Sequence, residues 1–172
     1  MANWKQRSHR LTAVLFIACS MSGVALAQTS GTVLAGVELS RVVPTTFYFQ
    51  GLSAPTQMRN AAATRFGSNR YVIAVLVDTS GYAADVREKY QGFLITDSPI
   101  MIGGSELATG AYGFGFTNDE KLSILDLSGR EILSLAAAKD AQLKRPRPLM
   151  MIKSADGIRL YGGRSYVVIT TR

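Results

Sequence analysis

The residues from position 28 onward that could do acid–base chemistry are mainly carboxylates, because no thiol or imidazole occurs there. The chain contains one Cys, one His and one Trp, and these are Cys19, His9 and Trp4. Residues 28–172 therefore lack the parts of a Ser-His-Asp triad, of a Cys-His dyad and of a zinc site with His or Cys ligands. We accordingly expect a protein that is not an enzyme and that carries no cofactor and no metal.

A carboxylate pair is the catalytic arrangement that this composition leaves open. Glycoside hydrolysis requires two acids that face each other across a cleft, and Asp78, Asp97 and Asp126 are candidates. Asp78 begins the stretch "DTSG" after an apolar segment, which is more typical of an Asp that starts a turn. The densest acidic cluster, at 118–120, lies between two predicted strands and also favours a turn. A carboxylate-based hydrolase is an alternative, not the main prediction.

The stretch "GAYGFGF" at 110–116 alternates aromatic rings with glycines. In an extended strand Tyr112 and Phe114 point to one face, together with Phe116, while Gly113 and Gly115 leave the other face bare. Rings at a period of two are typical of a core strand. Glycines inside a strand mark a bend, a bulge or the close approach of another backbone or a ligand. Tyr112, Gly113, Phe114 and Gly115 are therefore candidates for ligand binding, although core packing is the favoured interpretation of the rings.

A short helix is predicted near residues 82–90, in "YAADVREKY". Val86 and Tyr90 are four residues apart, so they share one helix face and can dock it against a core. Covering the sheet is the favoured role of this helix. If it gates a pocket instead, Tyr82 and Tyr90 are further candidates for ligand binding.

The densest group of positive charges is in "KRPRP", where Lys144, Arg145 and Arg147 lie close together. Pro146 and Pro148 predict an extended loop between strands. The three side chains are candidates for an anionic docking surface, and a solvated loop is the favoured interpretation. Basic residues are not clustered elsewhere, so we expect no nucleic acid among the partners.

The elements that would position these residues are short strands. Tyr71 to Val77 is apolar throughout, which is typical of a strand buried on both faces. Gly162-Gly163 and the short links at 118–121 and 128–129 favour hairpins, and no link there has room for a crossover helix. The predicted strands span 43–50, 71–77, 92–96, 99–102, 110–117, 122–127, 131–135, 149–153, 158–161 and 165–171.

The sequence thus predicts an all-β fold with antiparallel neighbours. We expect a barrel-like or sandwich sheet of about eight to ten short strands, with one short helix near residues 82–90. Residues 51–69 show no clear pattern, and their length is typical of a functional or mobile loop. Residues 28–40 are expected to be a mobile lead-in that could end in a strand, and residues 41–172 a single β domain.

The N-terminus has the pattern of a signal peptide over residues 1–27. A positive region is followed by an apolar one from Leu11, and Ala25-Leu26-Ala27 supplies a cleavage site. Removal of this segment would take three of the 19 Lys and Arg residues and leave 16 against 12 acids, a net charge of +4. We expect an exported protein, periplasmic or extracellular, with no transmembrane span after cleavage. An uncleaved anchor and a lipoprotein anchored at Cys19 are the alternatives.

One short motif carries a resemblance to a known group of proteins. In "IGGSELATGAYGFGF" the residues Leu107, Gly110 and Tyr112, followed by Phe114, form an L-x-x-G-x-Y pattern. This pattern resembles that of uncharacterised small secreted bacterial all-β proteins, in which a hairpin leads into a strand. The resemblance implies a compartment and a β fold, and it implies no activity.

Together these observations predict an exported β domain that binds or interacts and does not catalyse. A small apolar molecule is the expected ligand, because the long apolar strands suit a barrel or sandwich interior. The alternatives are an envelope structural or assembly protein that pairs through a sheet edge, and the carboxylate-based hydrolase.

Overall fold

The computed structural model describes residues 31–171, which form fourteen strands and two helices. The predicted signal peptide, Cys19 and residues 28–30 lie outside this range. The helices are α1 (Gly36–Val42) and α2 (Ala84–Lys89). The strands are β1 (Gly31–Val33), β2 (Thr46–Phe49), β3 (Leu52–Phe66), β4 (Arg70–Val77), β5 (Gly92–Thr96), β6 (Ile100–Ile102), β7 (Ser105–Leu107), β8 (Gly110–Phe116), β9 (Lys121–Leu125), β10 (Glu131–Ala136), β11 (Ala138–Lys139), β12 (Arg147–Ser154), β13 (Gly157–Gly163) and β14 (Ser165–Thr171).

The strands form two antiparallel sheets. The first sheet has the order β1-β3-β4-β5-β8-β9-β10, with β2 paired to β3 as well. The second has the order β12-β13-β14-β6-β7, with β11 paired to β14. Most neighbouring strands are consecutive in the sequence. A short turn can join two such strands only in the antiparallel direction. The prediction of an all-β, antiparallel fold is confirmed, and it takes the sandwich form, since neither strand path among residues 31–171 closes into a barrel.

Two apolar layers lie on the two faces of the first sheet. The layer between the sheets contains Val72 and Ala74 of β4, Phe114 of β8 and inward residues of the second sheet such as Leu160 and Ile169. On the other face, Ile73, Val75 and Val77 join residues of α1, β2 and the segment around α2. β4 is therefore buried on both faces, as its unbroken apolar sequence predicts. Full burial of one such side chain contributes roughly 1.5–3 kcal/mol.

Residues 51–69 are the main difference from the sequence prediction. They contain the longest strand, β3, and do not form a loop over most of their length. β2 and β3 are joined by a turn in which Gln50 and Gly51 have φ angles of 47° and 81°, the left-handed values that tight hairpin turns require. The strand is hard to recognise because its middle is polar, and the register with β4 is irregular between Thr56 and Ala61.

Within the lead-in predicted at 28–40, the described residues form a strand and the first part of a helix. β1 pairs with the end of β3, and Gly31 lies opposite Phe66. α1 follows, and the buried side chain of Leu34 between these elements belongs to the outer apolar layer. Residues 31–40 therefore contain β1 and most of α1, which is a second helix besides the predicted one.

The remaining elements agree closely with the sequence. All ten predicted strands are present, and the predicted helix near 82–90 is α2. The turn between β13 and β14 falls one residue later than expected, at Gly163 and Arg164, with a φ of 63° at Gly163. The very short strands β1, β7 and β11 carry too little pattern to be predicted. Neither helix among residues 31–171 is long and apolar enough to cross a bilayer.

Candidate functional site

The rings of β8 pack inside the molecule. Phe114 is fully buried between the sheets, and Tyr112 and Phe116 are half-buried against the same layer. The hydroxyl of Tyr112 donates a hydrogen bond of 3.0 Å to the carbonyl of Ala108. Tyr112 and Phe114 are thus part of the sandwich core and do not form a binding platform.

The bare face of β8 is filled by two other elements of the chain. A methyl group added at Gly113 would lie 2.5 Å from Cε2 of Phe49, on β2. One added at Gly115 would lie 2.5 Å from the carbonyl oxygen of Lys89, the last residue of α2. The glycines make room for a ring and for a helix end. Gly113 and Gly115 therefore lie against other parts of the chain itself, and their role as ligand-binding residues stays a prediction.

Phe49 belongs to a group of stacked rings, here called the aromatic layer, formed by Phe47, Phe49, Tyr82, Tyr90 and Phe93. Phe49 and Tyr90 stack with ring centroids 3.9 Å apart, and Phe47 and Phe93 stack at 4.4 Å. Tyr82 meets the edge of Tyr90 at 5.1 Å. Such contacts add roughly 0.5–1.5 kcal/mol per pair to the burial of the rings.

The two tyrosines of this layer were predicted as ligand-binding candidates, and both are buried, with exposed fractions of 7% for Tyr82 and 0% for Tyr90. The Tyr82 hydroxyl donates to the carbonyl oxygens of Phe49 and Leu52, at 3.1 and 3.3 Å. The Tyr90 hydroxyl has no hydrogen-bond partner among residues 31–171. Burial raises the pKa of both groups above the usual tyrosine value, most strongly at Tyr90, where the nearby Tyr82 adds to the effect. Both flank α2, and their role as ligand-binding residues stays a prediction.

One open space in the described part of the structure is a groove beside α2. It has a volume of about 350 Å³ and lies over Phe49 and Leu125. Its sides carry Asp85, Glu88 and Lys89, so acids outnumber bases among the charged groups. The mixed charge and polar rim do not favour one class of ligand.

The basic loop at 144–147 is exposed and held at its base. The Tyr161 hydroxyl donates 3.0 Å to the carboxylate of Asp140, and the Arg164 guanidinium donates to backbone carbonyls of residues 140, 141 and 143. Lys144 and Arg145 extend into solvent. Arg147 differs from them, because it starts β12 and lines a pocket.

This second space lies between two irregular strand segments and is called the bulge pocket. The first irregular segment is residues 57–60 of β3. Thr56 pairs with Val77 and Ala61 pairs with Val75, so the four residues between them lie opposite a single residue of β4. On β12, the register shifts between Arg147 and Met150. The pocket has a volume of about 350 Å³. Bulges re-aim side chains and are frequent beside functional sites.

The walls of the bulge pocket are apolar. Leu34, Leu149 and Met151 are buried and form its inner side, and Met58 and Met150 lie nearer to solvent. Methionine side chains are flexible and polarisable, and they adapt to ligands of different shape. The walls therefore suit an apolar group.

Side-chain hydrogen bonds hold the β3 bulge in its shape. The Gln57 amide donates 3.0 Å to the carbonyl of Val77, where the strand pairing is interrupted. The Asn60 amide donates 2.7 Å to the side-chain oxygen of Gln57. Met58 and Arg59 lie between these two anchors and line the pocket. Sequence reasoning missed both residues because it took 51–69 for a loop, and the polar interruption of a long strand pattern is the only signal that could have revealed them.

Two arginines give the bulge pocket its charge. Arg59 and Arg147 are exposed and line the pocket, and no acidic residue does. Neither guanidinium has a hydrogen-bond or ion-pair partner among the described residues. Five bases elsewhere in residues 31–171 do have acidic partners, in the pairs Lys89–Glu131, Lys121–Asp119, Arg130–Asp126, Lys139–Glu120 and Arg159–Asp156.

The carboxylates proposed for hydrolysis serve the backbone of turns and strand ends. Asp78 and Asp126 accept hydrogen bonds from the backbone N–H groups of Ser80 and Ser128, each at 3.0 Å. Asp97 accepts from the backbone N–H of Tyr71 at 2.8 Å. Hydrogen bonds with Ser80 and Ser128 hold the pKa values of Asp78 and Asp126 below the usual range.

The acidic cluster at 118–120 also forms a turn, as predicted. Asp119 accepts from the hydroxyl of Thr117 at 2.5 Å and from the ammonium of Lys121 at 2.6 Å. These bonds, led by that of Lys121, lower the pKa of Asp119 to about 2. A general acid needs a raised pKa, so these carboxylates do not favour the hydrolase alternative. Residues 31–171 contain no group of three or more acids able to hold a metal ion.

Comparisons of the chain with protein-family models, curated proteins and solved structures find no match. The resemblance to secreted bacterial β domains therefore stays a prediction. Among the spaces described above, the bulge pocket has the most consistent chemistry, with apolar walls and two arginines.

Proposed function

We propose that the protein is an exported, non-catalytic binding module that holds a small apolar molecule in the bulge pocket. The observation that carries this proposal is an open, apolar-walled space of about 350 Å³ between two irregular strands. Ligand pockets in proteins occupy roughly 300–1,000 Å³ and have mostly apolar walls with a few polar groups. Export is supported by the signal-like pattern of residues 1–27 alone.

The proposal is tested by blocking the pocket. Ala35 is exposed, extended and lines the pocket just before α1, so Ala35→Phe would place a ring in the space. Ala83 is the matched control, because it is also exposed and extended just before a helix, α2, but does not line the pocket.

Native mass spectrometry of the purified protein would detect a small molecule that copurifies with it. We expect a mass increment on the wild type and on Ala83→Phe, and its loss on Ala35→Phe. If the wild type is recovered without ligand from several growth conditions, or if the increment survives Ala35→Phe, the proposal is wrong.

One observation favours a second candidate function, assembly through a sheet edge. β10 ends the first sheet and pairs with β9 only, and Ile132 on this strand is exposed. An exposed edge strand can pair with the same strand of a second copy of the chain. Light scattering after size exclusion would then show a dimer that Ile132→Lys dissociates, and a wild-type monomer at high concentration would exclude this function.

A further inference from the structure

The mouth of the bulge pocket is chemically different from its walls. Leu149 and Met151 form a buried apolar side, while the exposed guanidinium groups of Arg59 and Arg147 lie at the rim. A wholly apolar ligand would contact the apolar side and would make no use of the two guanidinium groups. The combination fits a molecule with an apolar chain and a negatively charged head.

The two arginines are available for such a head. Neither has an acidic partner among residues 31–171, and the pocket lining contributes two positive charges and no negative one. A guanidinium matches a carboxylate with two parallel hydrogen bonds, which is the strong, directional form of this contact. A cationic head would be repelled by the same pair of charges.

The volume of the pocket limits the length of the ligand's apolar chain. At roughly 30 Å³ per water-sized group, about 350 Å³ holds on the order of a dozen heavy atoms. This is one chain of medium length with its head, and it is too little for a lipid with two chains. The flexible side chains of Met58 and Met150 can close over chains of different shape.

We infer that the bulge pocket binds a single-chain amphiphile with a carboxylate head, the carboxylate on Arg59 and Arg147 and the chain on the methionine and leucine walls. This inference rests on the proposed function and specifies its ligand. It adds a positively charged recognition element that a pocket for neutral apolar molecules would not need.

The inference is tested with three probes that share a ten-carbon chain and differ in the head. Decanoate carries a carboxylate, 1-decanol a neutral hydroxyl and decyltrimethylammonium a positive charge. Each is titrated calorimetrically, below its aggregation concentration, into the protein recovered after expression of the full chain. We expect decanoate to bind at least about tenfold more tightly than decanol, since a charge-assisted hydrogen bond is worth that factor or more, and the cation to bind most weakly.

Two variants locate the head. Arg59→Gln with Arg147→Gln removes both rim charges, and Lys144→Gln with Arg145→Gln removes the same charge from the neighbouring loop outside the pocket. All four residues are exposed, so circular dichroism and thermal melts should match the wild type. We expect the first variant to lose the preference for decanoate over decanol, and the second to keep it within about twofold.

The possible outcomes distinguish a failure of the inference about the carboxylate head from a failure of the proposed binding function. Equal binding of the three probes, or an equal loss in both double variants, overturns the carboxylate head but leaves an apolar pocket in place. Failure of decanol and decanoate alike to bind the wild type overturns both the inference and the proposed function.

Discussion

The aromatic layer and the bulge pocket both bring apolar side chains together, but only in the aromatic layer do these side chains stack closely on one another. In the layer, Phe49 enters the space that Gly113 leaves and stacks on Tyr90. At the bulge pocket, the regular pairing of β3 with β4 is interrupted at residues 57–60, and about 350 Å³ stays open between β3 and β12. The same apolar chemistry yields a core in one place and a cavity in the other.

This difference shows that the residue pattern along a strand and the pairing register between strands carry separate information about the fold. Alternating rings and glycines indicate a strand whose faces will be used, and here the chain itself uses both of them. The bulge pocket lies beside two local breaks in strand pairing, and these breaks have almost no signature in residue types. The most conspicuous sequence feature is therefore a packing device, and the inconspicuous one lines the pocket.

The largest expected effect comes from removing a ring of the aromatic layer. Phe49 has an exposed fraction of 0%, so Phe49→Ala should lower the free energy of unfolding by about 3–5 kcal/mol through lost burial and a new cavity. Met58→Ala, at a residue of the bulge pocket with 41% exposure, should change it by only about 0.5 kcal/mol. Urea unfolding of the two variants measures both values, and similar costs would mean that the aromatic layer is no better packed than the pocket.

A smaller effect tests what Gly113 makes room for. Gly113→Ala should cost about 1–3 kcal/mol, because its new methyl group overlaps the Phe49 ring. The cost should shrink when the substitution is made in the Phe49→Ala background, where the ring is gone. Gly81→Ala is the control, since nothing lies within 4 Å of a methyl group there. Full additivity in the double variant would show that Phe49 is not the neighbour that matters.

The two buried tyrosines of the aromatic layer differ in the hydrogen bonds that their hydroxyl groups make. Tyr82→Phe removes a hydroxyl that donates to the carbonyls of Phe49 and Leu52 and should cost about 1 kcal/mol. Tyr90→Phe removes a buried hydroxyl without a partner and should be neutral or slightly stabilising. Thermal unfolding of the pair tests this, and a clear loss in Tyr90→Phe would reveal a hydrogen bond to that hydroxyl.

The smallest expected effect is a pH dependence. The folded state raises the pKa of Tyr90, so this contribution to stability is complete below about pH 10, the unfolded value, and is lost as the pH rises further. The loss at pH 10.5 should be no more than about 0.8 kcal/mol from this residue. Urea unfolding at pH 8 and pH 10.5 should show a smaller decrease in Tyr90→Phe than in the wild type. An identical decrease would place the alkaline sensitivity elsewhere.

The sequence was sufficient to predict an all-β, antiparallel fold, but it left barrel and sandwich open and did not reveal the pocket. The apolar run of β4 and the hairpin turns depend on local residue types, so they can be read without the structure. Residues 52–66 could not be recognised, because a strand with a polar middle is stabilised by partners on β1, β2 and β4 that lie outside any local window. Arg147 was predicted as part of a charged loop, but its separation from Lys144 and Arg145 depends on where β12 begins.

The tip of the β2–β3 hairpin constrains how the chain can fold. Gln50 donates from its side-chain amide to the carbonyl of Ser128, 78 residues later, and its backbone N–H bonds to the carbonyl of Leu127. Contacts between such distant parts of a chain form slowly, because a long loop must close first. The hairpin can form early, yet the rings of Phe47 and Phe49 are covered by Phe93, by Tyr90 and by β8, which all lie later in the chain. Closure of the aromatic layer should therefore be a late event on the folding pathway.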